Sequence, residues 1–178
     1  MKKSIVFIFC LFLASHYAFS SKTDTLQVYS PSMKKNIKVV VILPDSYDSG
    51  KSYPVFYLLH GYSGNYTSWT TIPSTSALAD LHQFIIVCPD GGYSSWYFDS
   101  PVDSTRKYET FVSKELIQWV DKNYRTIAER GGRAISGLSM GGHGGLFLGF
   151  RHQDVFGACG SMSGGVDIRP FPNNWEMS

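Results

Sequence analysis

The stretch Gly137-Leu138-Ser139-Met140-Gly141 has the residue types and spacing of a serine prepared to act as a nucleophile. A short apolar run, Arg133-Ala134-Ile135-Ser136, precedes it, and Gly142 to Phe150 follows as a small-residue helix. A serine on a tight strand-to-helix turn projects its hydroxyl from the strand end, and flanking glycines leave room where backbone crowds backbone. The next amide, that of Met140, then points at an oxygen gaining negative charge, and the helix N-terminus adds its positive end. The five residues alone would also serve as an ordinary turn, and it is the flanking strand and helix patterns that favour chemistry. Gly142, Gly144 and Gly145 are poor choices for a free-standing helix, where each costs about 1 kcal/mol relative to Ala. They suit a helix pressed against a sheet.

The elements that would position this serine are legible along the chain. Thr25–Tyr29 and Asn36–Leu43 read as two strands around a polar turn. Tyr53–Leu59 is a continuous apolar run with no polar alternation, as expected of a strand buried on both faces. It ends in His60-Gly61-Tyr62, a glycine-bearing loop suited to a second oxyanion donor. That role is assigned to the Tyr62 amide, with Gly61 as second choice, and His60 is given a packing or loop-shaping role. A helix is expected after Pro73, capped by Ser74 or Ser76 and running to Leu81. Phe84–Cys88 reads as another buried strand. The loop Tyr93–Pro101 is unusually aromatic. Its rings either line a binding cleft or plug the core, and on the first reading Trp96 joins Gly61 as a candidate substrate contact. Lys107–Tyr124 is the clearest helix, with Tyr108, Phe111, Val112, Leu116, Trp119, Val120 and Tyr124 on one face. Glu109 and Glu115 on that helix are read as solvated charges rather than catalytic carboxylates. Val155–Gly165 reads as a further strand and turn, with Arg151, His152 and Asp154 in the connection before it.

Residues 1–20 read as a secretory signal peptide: Lys2-Lys3, an apolar run from Ile5 to Ala14, and small residues before a cleavage expected after Ser20. The run is too short to span a bilayer comfortably. Phe9 before Cys10 does not support a lipoprotein box. Secretion or a periplasmic location follows, with no stable membrane anchor after cleavage. Residues 21–178 form one domain, without repeats or linkers. The formal net charge of +2 includes the two leader lysines and points to no nucleic-acid partner. Cys88 and Cys159 are expected as buried free thiols, and no Cys/His spacing suggests a metal.

The predicted order β-β-β-α-β-α-β-α-β is an α/β sheet with its working edge at the strand C-termini. Leu58-Leu59-His60-Gly61-Tyr62, Tyr108-Glu109-Thr110-Phe111, Tyr124-Arg125-Thr126, Gly137-Leu138-Ser139-Met140-Gly141-Gly142-His143-Gly144 and Ser161-Met162-Ser163-Gly164 together resemble the esterase D family of α/β-hydrolases. That family includes S-formylglutathione hydrolases, feruloyl and acetyl xylan esterases, tributyrin esterases and mycolyltransferases. The resemblance covers nearly the whole chain after the leader. It implies an α/β-hydrolase fold, Ser139 as nucleophile, and the Met140 and Tyr62 amides as oxyanion hole. It implies no cofactor and no metal, and it makes His143 a structural histidine rather than the base.

One departure stands out. In this fold the acid and then the histidine follow the serine along the chain. After Ser139 the histidines are His143 and His152, both too near, and the aspartates are Asp154 and Asp167. The chain therefore resembles roughly the N-terminal two-thirds of such an enzyme, with the last strands and helices absent. The resemblance implies a secreted serine esterase acting on short acyl or sugar-linked esters, inactive in this truncated form. Acyl transfer to a sugar acceptor and a non-catalytic carbohydrate-binding remnant are the alternatives. Export argues against a glutathione thioester, a cytosolic metabolite.

Overall fold

A computed structural model describes residues 22–48 and 50–167, so the expected leader lies outside the described residues. Six strands form one mixed sheet: β1 (Lys22–Ser30), β2 (Lys35–Leu43), β3 (Val55–Leu59), β4 (Ile85–Pro89), β5 (Arg133–Gly137) and β6 (Ala158–Cys159). Their spatial order is β1-β2-β4-β3-β5-β6. β1 and β2 form an antiparallel hairpin, and β2 pairs antiparallel with β4. The pairs β3/β4, β3/β5 and β5/β6 are parallel, with Tyr57 opposite Val87 on one side and Ile135 on the other. The unbroken apolar runs are thus the central strands, as their lack of alternation predicts.

Helices cover both faces. On one face α2 (Tyr108–Asn123) packs through Phe111, Val112, Leu116, Ile117 and Val120 against Val39, Val41, Val55, Tyr57 and Ile135. Met140 and Leu148 of α3 (Met140–Arg151) join that core. On the other face Ala79 of α1 (Pro73–His82) meets Val40, Ile42, Leu58, Ile86 and Cys88. Each such aliphatic or aromatic side chain contributes about 1.5–3 kcal/mol on burial.

Three local expectations are corrected. α1 begins at Pro73 itself, with Ile72 in the cap position and no side-chain cap bond, so Ser74 and Ser76 lie inside the helix. Proline fits there because the first helical N–H has no intrahelical partner to lose. α2 is not one uniform helix: α-helical Tyr108–Thr110 and Leu116–Asn123 flank a π-helical segment, Phe111–Glu115. The wider turn shifts the phase, so that Phe111, Val112, Leu116, Ile117 and Val120 are all buried. Cys88 is buried, with its thiol pushed up to about 12 by burial, but Cys159 is exposed because β6 is the short outermost strand. Both cysteines are free.

The carboxyl ends of β3, β4 and β5 share one edge, which gathers the segments His60–Tyr62, Asp90–Gly91 and Leu138–Ser139.

Candidate active site

Ser139 stands between β5 and α3 with φ 55° and ψ −113°, a positive-φ conformation that a non-glycine residue adopts at a cost of about 1–3 kcal/mol. The surroundings hold it there. Its amide donates to the Met162 carbonyl at 2.8 Å, and the Met162 amide donates to Gly137 O at 3.0 Å. The Leu138 amide donates to Leu59 O at 3.2 Å. Gly137 and Gly141 are dictated by contact: a Cβ on Gly137 would lie 2.6 Å from the Gly141 carbonyl carbon, and one on Gly141 would strike the Leu59 carbonyl. The serine is exposed, and so is Leu138 beside it. Met140 is fully buried, and as the first residue of α3 its amide lies outside the i→i−4 ladder.

The β3 loop meets this turn directly. A Cβ on Gly61 would sit 3.5 Å from the Ser139 Cβ and 3.3 Å from Leu138 O, so Gly61 backs onto the serine. Tyr62 is half-buried, with its ring 5.0 Å from that of the exposed Tyr93. The structure thus sets Gly61 against Ser139, with Tyr62 and Met140 the next residues along the two segments.

Trp96 is different. It is only 5 % exposed, and its ring packs edge-on against His143 at 5.3 Å, so it belongs to the core and not to a substrate cleft. The same holds for Tyr97, fully buried. The aromatic loop is a plug: Trp96 and Tyr97 both take positive φ, and the Arg106 guanidinium ties the loop down through Ser94 O at 2.9 Å. Of the loop's large rings, Tyr93 alone is exposed.

No described histidine bonds Ser139. His60 is buried, with both ring nitrogens engaged by backbone groups. His82 stacks on Phe84. His143 is packed among Trp96, Phe98 and Phe147; its Nδ1 pairs with Gly165 O at 2.8 Å and its buried Nε2 makes no hydrogen bond. Burial lowers the His143 pKa, the Gly165 carbonyl opposing, which favours a neutral ring. His152 bonds Glu109 at 2.9 Å, beside Arg151, which holds the same oxygen at 2.8 Å. Glu109 is therefore an ion-pair partner rather than a solvated charge. So is Glu115 a structural anchor, accepting from Ser30 Oγ at 2.5 Å and the Ser32 amide at 2.8 Å.

Among the clefts that lie away from the serine, two are the larger. One of about 690 Å³ is lined by Asp99, Glu109, Lys114, Arg151 and His152, near the C-terminus of α3. The other, apolar and about 580 Å³, lies at the amino ends of β3 and β5. Among the described residues no cluster of three or more His, Cys, Asp or Glu side chains could hold a metal ion, and no helix is long and apolar enough to cross a membrane.

Sequence reasoning singled out the Ser161–Gly164 motif and the Tyr93–Pro101 loop but missed two roles within them: the Met162 carbonyl fixes the Ser139 amide, and the Tyr97 phenol donates to His60 O at 3.0 Å. Both roles act across long separations, so no local pattern announces the contact.

Residues 30–176 match the Esterase family. An esterase of Mycobacterium tuberculosis is 41% identical over 141 residues, 75% of this chain and 30% of the relative. A diacylglycerol acyltransferase/mycolyltransferase of Mycobacterium leprae is 38% identical over 155 residues, 81% of this chain and 44% of the relative. The solved structure of a ferulic acid esterase superposes with a TM-score of 0.75 at 36% identity, covering 84% of this chain and 61% of that one. The chain thus spans less than half the length of these curated relatives. With the α/β-hydrolase sheet, the strained serine turn and this match over most of its length, the chain belongs to the esterase family.

Proposed function

We propose that the protein carries out acyl transfer from carboxylic esters to water through an acyl-enzyme on Ser139. The Ser139 hydroxyl attacks the ester carbonyl, and the Met140 and Tyr62 amides receive the oxyanion. The alcohol then leaves, and water releases the acid. The observation that carries this reading is the exposed Ser139 at φ 55° on a strand-to-helix turn that Leu59, Gly61 and Met162 hold from three sides. Exposed Leu138 and Met162 beside it, and exposed Tyr93 against the Tyr62 ring, favour an ester with an apolar or aromatic acyl group.

The proton of Ser139 needs an acceptor, and the four described histidines are committed elsewhere. This chain covers 61% of the ferulic acid esterase it superposes on, and we assign that role to a histidine in the part of the fold it does not span, so the 178-residue chain by itself is expected to turn over esters barely, if at all. The test is hydrolysis of short-chain nitrophenyl esters by this chain and by the protein as its gene encodes it, each with Ser139→Ala alongside. Serine-dependent turnover by the 178-residue chain at ordinary enzymatic rates would refute the missing-base reading. Turnover by the encoded protein that survives Ser139→Ala would refute the serine reading itself.

Transfer to a sugar hydroxyl instead of water is a second reading, supported by the mycolyltransferase relative. Product analysis with and without added sugar acceptors separates the two. The basic, apolar amino terminus supports export. Amino-terminal sequencing of the mature protein is expected to start at Ser21, and an intact Met1 would argue against cleavage.

A further inference from the structure

We propose that His60 is a positioning residue for the oxyanion site, fixing the plane of the Gly61–Tyr62 peptide; this rests on the serine-esterase reading above. The Gly61 carbonyl and the Tyr62 N–H belong to one rigid peptide unit, so holding the first aims the second. Two donors hold that carbonyl: His60 Nδ1 at 2.8 Å and the Gly64 amide at 3.0 Å. The imidazole is itself fixed at its other end, because the Gly91 amide donates to Nε2 at 2.8 Å. An Nε2 that accepts a proton carries none, so Nδ1 carries the ring proton and can donate to Gly61, a tautomer assigned from these partners.

The strap crosses the working edge from the β3 loop to the β4 loop. His60 is 1 % exposed, and the Asp90 carboxylate lies 3.8 Å from Nε2 while accepting the Gly92 amide at 2.8 Å. The Tyr97 phenol closes the arrangement on His60 O at 3.0 Å. The aromatic plug therefore acts on the site indirectly, by bracing the histidine that braces the donor. His60 touches no reacting atom; it acts through the peptide it orients.

The experiment separates the two ends of the ring. An Asn amide nitrogen takes the place of Nδ1 and keeps the Gly61 bond, whereas a Gln amide oxygen takes the place of Nε2 and keeps only the Gly91 bond. On the protein as its gene encodes it, His60→Gln and His60→Ala are expected to lower kcat about tenfold or more with KM within about twofold, a fraction of the effect of deleting an oxyanion donor. His60→Asn is expected to retain kcat within about threefold. The imidazole ¹⁵N spectrum of the unsubstituted protein is expected to show His60 as the Nδ1–H tautomer. An Nε2–H tautomer, an unchanged kcat in His60→Ala, or kcat losses in Asn and Gln that merely follow their melting temperatures would each overturn the inference. Turnover that survives Ser139→Ala overturns the serine reading whatever His60 does. Serine-dependent turnover indifferent to His60 overturns this inference alone.

Discussion

The two ends of α3 carry opposite kinds of chemistry. At its N-terminus Ser139 is exposed and strained, and its backbone is bound by Met162 while its hydroxyl takes no partner among the described residues. At its C-terminus Arg151 and His152 converge on one Glu109 oxygen, beside a cleft rich in charge. By composition the second end is the more provocative: histidine, carboxylate and guanidinium within hydrogen-bond reach. Yet its groups satisfy one another. The lesson is that reactivity needs a group held rigidly by its backbone and left unsatisfied in its side chain, and only the first end meets both conditions.

The sharpest way to test that contrast is to remove each end in turn. Ser139→Ala in the protein as its gene encodes it is expected to cost three or more orders of magnitude in kcat, read by ester hydrolysis, with the melting temperature nearly unchanged (roughly 10³-fold or more). Gly141→Ala attacks the frame instead of the hydroxyl. Its Cβ strikes the Leu59 carbonyl, so a loss of about 2–4 kcal/mol in denaturant unfolding is expected, together with activity. Ser139→Gly should move stability the other way, raising it by about 1 kcal/mol as the positive φ ceases to cost anything, while abolishing turnover. A stability unchanged by that substitution would deny that the turn is strained.

A smaller effect concerns His143, between the two ends. Its folded pKa is lowered below the ordinary value of 6.5 by burial, so the unfolded chain binds a proton that the folded chain refuses. Its contribution is therefore absent above that value and turns against folding as pH falls through it. The melting temperature should drop between about pH 7.5 and 5.5, and His143→Gln should flatten that slope. The smallest expected effect is at the far end. Glu109→Gln, although it disrupts the Arg151 ion pair and the His152 hydrogen bond, should leave kcat within about twofold and lower the melting temperature slightly. A large loss of activity there would break the comparison and move the functional end of α3.

Much of this could be read in the chain. The apolar runs at Tyr53–Leu59 and Phe84–Cys88 placed the central strands because a strand covered on both faces has no polar side to show. The serine turn was legible because its glycines are demanded by local backbone crowding, which leaves a short motif. The start of α1 was misread by a residue or more, since proline at the first position and a serine cap compete for the same signal. The period of α2 hid a π-helical turn, because its apolar residues are dense enough to satisfy several phases.

The sequence by itself determined the fold class, the position of the strained serine turn and the strand end that faces it. These depend on patterns confined to a few neighbouring residues, such as the glycines that let Gly137 and Gly141 approach Leu59. Only the tertiary structure decided that Trp96 and Tyr97 fill the core, that Glu109 is claimed by Arg151 and His152, and that His60 ties the β3 loop to Gly91. Whether a polar or aromatic side chain is spent on its neighbours or left for a substrate depends on partners brought from tens of residues away. Only the folded sheet brings them into contact.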